Sequence, residues 1–257
     1  MKASDMMAEE LEALGILDYF VFTGGAISHL IDSIGQRERL RYFCFQHEQA
    51  AAFAADAYSR VSENGKLAAC LVTSGPGATN LITGIAGAWF DCVPALFVCG
   101  QVRTHELGLE SSQLQNGFQE VDIVSMSRVV TKHSELVRNL RDVPGLFSRA
   151  LARSKSGRPG PVLVDLPMDI QYGEIDSNHT PKPGVHNHRR PVPLEEMQTV
   201  WRQVFQAERP LILVGGGVNN DVDKASLKEA LSEKGLPFVA TFPAADFASL
   251  TRDPNYL

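Results

Sequence analysis

Short apolar runs recur along the first part of this chain, each separated from the next by a stretch of helical character. Tyr19-Phe20-Val21-Phe22, Tyr42-Phe43-Cys44-Phe45, Leu67 to Val72, Ala95-Leu96-Phe97-Val98 and Val162-Leu163-Val164 are nearly free of charge. A strand apolar at every position has no solvent face, so each must be covered on both sides. Helical patterns alternate with these runs: Ser4 to Leu14, Gly24-Gly25 through Ile34, Glu48 to Arg60, a segment past Gly77, and Pro144 to Arg153. The rhythm predicts an α/β fold, a doubly wound parallel sheet with helices on both faces.

The segment from about Gln171 to Pro193 is polar and proline-rich and reads as a linker between domains. The expected division is a first domain over 1–172, a linker over 173–193 and a partial second domain over 194–257. In the last of these, a helix over Leu194 to Gln206, a strand at Leu211 to Val214, a helix over Val222 to Lys234 and a strand at Pro237 to Phe242 amount to about one βαβ unit. That is too little for an independent parallel sheet, so the second α/β domain is expected to be incomplete.

Charge and composition exclude some partners. A net charge of -6 over 257 residues leaves no basic excess for nucleic acid or an anionic membrane. No apolar run approaches the roughly 20 residues a membrane helix needs. The amino-terminal MKASDMMAEELEALG reads as an amphipathic helix, not a signal peptide, and a soluble, cytoplasmic protein is the expectation. Cys44, Cys70, Cys92 and Cys99 lack metal-site spacing and read as small hydrophobes in a reducing compartment.

Three stretches fall where such a fold binds ligands, just beyond the carboxyl ends of strands. Glu48 opens the helix after the second strand. An acid there complements the helix dipole or serves a ligand. Thr73-Ser74-Gly75-Pro76-Gly77-Ala78-Thr79-Asn80 follows the third strand. Its glycines permit close approach of a ligand to backbone, or simply shape the turn with Pro76; it matches neither the P-loop nor the dinucleotide fingerprint. Asn116-Gly117-Phe118-Gln119-Glu120 closes a long loop, where Phe118 is a loop anchor or a substrate-facing wall. His186 and His188, Asp221 and Asp223, and Gly215-Gly216-Gly217 read as solvated, helix-start and packing residues.

In order, GGAISHLIDS, HEQAAAFAADAYSR, LVTSGPGATNLITGIAGAWFD, VPALFVCGQV, GFQEVDIV, TKHS and GRPGPVLVDLPMDIQ resemble the acetolactate-synthase-like branch of thiamine-diphosphate enzymes. RPLILVGGGV resembles the start of that family's central domain. The resemblance implies that Glu48 meets the ring nitrogen N1′ of the cofactor's aminopyrimidine, a water-shielded carboxyl group sharing a proton with it. It places Thr73, Pro76, Gly77 and Asn80 beside the pyrimidine, Gly77 leaving room for it. Gly25 matches a glycine lining the pocket at the reacting carbon, and Phe118 and Gln119 match an apolar wall and a hydrogen-bonding side chain there, Gln119 counted with Glu48 as catalytic.

The implied activity is decarboxylation of a 2-keto acid such as pyruvate and transfer of the acyl carbanion equivalent, as a carboligase or a decarboxylase. Two departures stand out. Met168 occupies the place of a lysine in true acetolactate synthases, and Glu110 to Gly117 is longer than their matching stretch. The family's diphosphate and Mg²⁺ sit on a third domain marked by GDG, which does not occur here. The chain alone is therefore expected to bind thiamine diphosphate weakly and turn nothing over, as a fragment or with the rest supplied by a second chain. FAD in the central domain stays open. A homodimer or homotetramer, dimerised through sheet-edge helices, is expected. The alternative is a noncatalytic truncated homologue that dimerises with or regulates a full-length enzyme.

Overall fold

The computed structural model describes residues 1–62, 65–108, 115–176, 192–219, 224–248 and 255–256. They belong to two compact units, Met1–His188 and Arg189–Leu257.

In the first unit the order is α1 (Ala3–Ala13), β1 (Asp18–Val21), α2 (Ser28–Gly35), β2 (Arg41–Cys44), α3 (Glu48–Val61), β3 (Ala69–Val72), α4 (Pro76–Thr79) and α5 (Ile82–Phe90). It continues with β4 (Leu96–Gln101), α6 (Ile123–Ser127), β5 (His133–Leu136), α7 (Leu146–Lys155), β6 (Val162–Pro167) and α8 (Met168–Tyr172). The six strands form one sheet in the order β2-β1-β3-β4-β6-β5, every neighbouring pair parallel. Alternation along each strand divides the apolar side chains between two layers. Tyr19, Val21, Ala69, Leu71, Leu96, Val98, Val162 and Val164 enter the core that contains residues of α1, α2 and α7. Cys70, Val72, Phe97, Cys99 and Leu163 enter the core with α3 and α5. The doubly wound α/β architecture expected from the apolar runs is the one found.

The alanines after Glu48 have a packing use. A Cβ on Gly84 of α5 would lie 2.5 Å from the Ala52 Cβ of α3, so these two helices meet through small residues.

Two local expectations are corrected. The run Tyr42 to Cys44 is not buried. It lies in β2, an edge strand with all four residues exposed, because only β1 pairs with it. Gln171 is not part of a solvated segment. It sits in α8, fully buried, where its amide donates to the carbonyls of Ala26 at 2.6 Å and Leu166 at 2.9 Å, and its Oε1 accepts from the Leu30 N–H at 3.2 Å. Residues 177–191 of the linker, with His186 and His188, lie outside the described residues, as do 109–114 of the long loop.

The second unit holds α9 (Leu194–Gln206), β7 (Ile212–Val214), α10 (Lys224–Glu233), β8 (Phe238–Ala240) and α11 (Ala245–Ala248). Its two strands pair in parallel over a small core of Val214, Val218, Leu231, Leu236, Phe238, Ala244 and Phe247. Asp221 and Asp223 lie outside the described residues. No helix among the described residues is long and apolar enough to cross a membrane.

Candidate active site

Parallel strands put all their carboxyl ends on one edge of the sheet, and the turns after β1, β2, β3 and β4 meet there. Glu48 begins α3. His47 before it is extended, and its Nδ1 accepts the Gln49 N–H at 3.1 Å, capping the helix. This cap turns the Glu48 side chain inward, where only 7% of the residue is accessible. Asn80, at the end of α4, donates from Nδ2 to Glu48 Oε2 at 2.8 Å. Among the described residues no cation lies in ion-pair range of this carboxylate. One oxygen thus has a neutral donor. The other, Oε1, looks toward Gly77, being 3.4 Å from where a Cβ on that glycine would stand.

Thr73 knits two turns together. Its Oγ1 accepts the Ala26 N–H at 3.3 Å. A Cβ on Gly24 would fall 2.4 Å from the Thr73 Cβ, and one on Gly77 would fall 2.8 Å from its Cγ2. Glycine on each side is therefore what lets a threonine stand between the β1 and β3 turns. Gly25 is exposed, with open space where a Cβ would project. The Gly25–Ile27 turn is held from behind, since Gln171 binds the Ala26 carbonyl and a Cβ on Gly100 would meet that oxygen at 2.2 Å. Pro76 is exposed at the first position of α4.

Phe118 and Gln119 approach the same edge from the β4 side. Phe118 is 80% exposed, and Gln119 is a non-glycine residue with φ of 59°. A Cβ on Gly75, itself at φ 60°, would lie 2.5 Å from the Gln119 carbonyl oxygen. The Gly75 turn and Gln119 therefore abut through backbone. Gly25, Glu48, Thr73, Pro76, Gly77, Asn80 and the Phe118–Gln119 pair all lie in turns or at the ends of helices on this one edge.

Three supports of this edge escape a reading of the sequence. Glu120 folds its carboxylate back onto the N–H groups of Gly108 at 2.6 Å, Asn116 at 2.9 Å and Gly117 at 3.1 Å. Desolvation opposes ionisation, yet the donors from Asn116, Gly108 and Gly117 prevail and hold this acid below its ordinary range. Gln101, buried at the end of β4, donates from Nε2 to the Val121 carbonyl at 3.0 Å and to Asp165 Oδ2 at 2.9 Å. Asp165 of β6 also accepts from the Cys99 thiol at 3.4 Å. Its burial raises the carboxyl group to about 7, against the pull of Gln101 and Cys99. The signal available in sequence was an aspartate inside VLVDLP, because an acid in a buried strand needs partners. Thr104, whose N–H and hydroxyl both donate to Asp169, fastens the start of the same loop to α8.

Among the described residues no group of three or more His, Cys, Asp or Glu side chains is placed to hold a metal ion. The edge offers something else: a buried carboxylate with one free face, a glycine-lined gap beside it, and an exposed Phe–Gln pair.

Comparison with known proteins gives a consistent answer. Residues 1–126 match the family described as thiamine pyrophosphate enzyme, N-terminal TPP binding domain. Acetolactate synthase 1, chloroplastic, of Oryza sativa subsp. japonica is 36% identical over 259 residues, covering 97% of this chain and 39% of that protein. Acetolactate synthase, chloroplastic, of Arabidopsis thaliana is 36% identical over 260 residues, covering 97% and 37%. The acetolactate synthase isozyme 2 large subunit of Escherichia coli (strain K12) is 37% identical over 243 residues, covering 94% and 42%. The chain spans about two fifths of the length of these relatives. With its parallel sheet, its glycine turns and these matches together, the chain belongs to the thiamine-pyrophosphate-dependent enzymes and carries the N-terminal domain of their acetolactate-synthase-like branch.

Proposed function

We propose that this chain supplies the pyrimidine-binding side of an active site that decarboxylates a 2-keto acid, pyruvate being the first candidate, and passes the resulting acyl carbanion equivalent to an acceptor. The observation that carries the reading is the Glu48 carboxylate, buried, bonded to neutral Asn80 on one oxygen and facing a glycine on the other. A carboxylate kept from water and unpaired with any cation is suited to a protonated ring nitrogen. The gap kept open by Gly77 suits a flat heterocycle, so the residues present fit the cofactor.

Thiamine diphosphate supplies, when bound, the electron sink for the carbanion that loss of CO₂ creates. The remaining roles at this edge fall to residues of the chain. Glu48 holds a proton between its Oε1 and the ring nitrogen N1′. Asn80 fixes the rotamer in which it can do so. Gly77 and Pro76 would wall the ring, and Thr73 holds the Gly24–Gly25 turn against the turn after β3. Phe118 contributes an apolar surface that keeps water from the reacting carbon, and Gln119 a side-chain amide able to orient the keto acid's oxygen atoms. Diphosphate and Mg²⁺ binding fall to another domain, on a longer polypeptide or on a second chain; an FAD, if held, belongs to the central domain. Pairing of two copies, which the resemblance implies, is part of the same proposal.

The test is thiamine-dependent consumption of pyruvate by the chain together with a diphosphate-binding domain. Glu48→Gln is expected to lower turnover by about 100-fold or more, the scale of a lost proton-transfer partner. Undiminished turnover in that variant excludes the assignment. Folded chain that never supports turnover in any such combination favours the noncatalytic partner instead.

A further inference from the structure

The opposite, amino edge of the sheet carries a second concavity, of about 510 Å³, lined by Trp89, Phe90, Lys132, Arg158 and Pro159. Trp89 and Phe90 end α5 ahead of β4, Lys132 precedes β5, and Arg158 and Pro159 precede β6. The six residues of β4 separate it from the Gln101 end by about 20 Å at ordinary strand rise. It is a different place from the Glu48 site, and its chemistry is independent of the function proposed there.

Its two cations are held by neutral groups. Lys132 Nζ donates to the Ser156 carbonyl and, at 3.2 Å, to the Ser156 hydroxyl. Arg158 Nε points at the Cys92 sulfur. Among the described residues neither has a carboxylate in ion-pair range. Asp91, next to Phe90 in sequence, is taken by Arg60 at 2.6 Å. In a chain of net charge -6, two neighbouring cations without an acid are unusual, and both are pre-positioned by bonds that leave their charge unneutralised. The aromatic side is equally uncommitted. Phe90 is 74% exposed, and Trp89 stands over Gly160, where a Cβ would lie 3.7 Å from its ring and 3.1 Å from the Lys132 stem. Gly160 thus keeps a Cβ out of the space next to both the lysine stem and the indole.

We propose that this concavity binds a small anion carrying a flat ring, an aryl carboxylate or an aryl or nucleoside phosphate. The ring would lie against Trp89, Phe90 and Pro159, and the anionic group would meet Arg158 and Lys132. Aromatic faces give the apolar contact, and a guanidinium takes a carboxylate or a phosphate through paired N–H donors. The volume is in the range of small-molecule sites.

The experiment uses the whole chain with Trp201→Phe, leaving Trp89 as the reporting indole. Benzoate, phenyl phosphate, inorganic phosphate and benzyl alcohol are titrated while Trp89 emission is followed. Benzoate or phenyl phosphate is expected to give a saturable change, and which of the two binds tighter identifies carboxylate or phosphate as the anion. Arg158→Gln is expected to weaken the affinity by about tenfold, the scale of one charge-assisted hydrogen bond. Phe90→Ala, a change at an exposed position, should weaken it as well, and keeps the test valid if Arg158→Gln fails to fold. Absence of saturation by either aryl anion overturns the proposal. So does equal binding by benzyl alcohol, or affinity unchanged in both variants.

Discussion

Asn80 donates to Glu48 at 2.8 Å, from the end of α4 to the start of α3. Through this bond two loops far apart in the chain place one buried carboxylate. Replacing Asn80 by leucine leaves that oxygen without its donor in a nearly dry position. The expected cost is about 1–3 kcal/mol of folding stability, read by chemical denaturation. In the double variant with Glu48→Ala the two costs should fall short of their sum, because each change removes the same contact. Strict additivity would show that the pair is not coupled.

Gln119 occupies the left-handed region without being glycine, and Gly75 packs against its carbonyl. Gln119→Gly is expected to stabilise the fold by about 1 kcal/mol through relief of that conformation, while lowering keto-acid turnover through loss of the amide. A gain in melting temperature with loss of activity is the pattern to look for. Gly75→Ala should act in the opposite sense on stability, since its Cβ has no room and its φ is unfavourable.

Asp165 links stability to pH. Its folded-state value is raised to about 7 from an ordinary 3.8 by burial, so the folded chain binds more protons than the unfolded chain between those values. The stabilisation is complete below pH 3.8, declines as pH rises, and is gone above about 7. Asp165→Asn keeps a neutral group and is expected to gain stability relative to the parent as pH rises through this window. Denaturation midpoints at pH 5 and pH 8 test it (values on either side of most of the change, roughly). A difference between variant and parent that does not grow with pH contradicts the assignment.

Glu120 binds three backbone N–H groups. Glu120→Ala is expected to abolish amide-exchange protection at Gly108, Asn116 and Gly117 while global stability changes little, because these three residues bring no large apolar side chain to the core. Protection that persists at those amides would show the loop to be held by other means.

Much of this arrangement was legible beforehand. Strand runs such as Leu67 to Val72 have no polar face, so two covering layers were forced, and a glycine-proline turn straight after such a strand must sit at the ligand-binding edge. Glu48 was legible by position, and its shielding from water only through the family resemblance. That shielding depends on Asn80, a partner 32 residues away, and on His47 capping the helix. β5 was missed because His133–Leu136 is an edge strand of mixed polarity, half-buried throughout, with neither apolar continuity nor clean alternation. Tyr42 and Phe43 misled in the other direction: their apolar character suggested burial, and their edge position exposes them. The Gln101–Asp165 pair joins two strands whose adjacency in the sheet skips β5 in sequence, and pairing of that kind leaves no local mark.

Contact between the Glu48 carboxylate and the cofactor's N1′ nitrogen is the claim on which the proposed chemistry rests. The direct measurement is the ¹⁵N resonance of thiamine diphosphate labelled at N1′, bound to the protein with its diphosphate-binding domain. The expected spectrum shows N1′ protonated or strongly hydrogen-bonded in the parent and shifted to the free-base position in Glu48→Gln. An N1′ resonance at the same position in both proteins would contradict it.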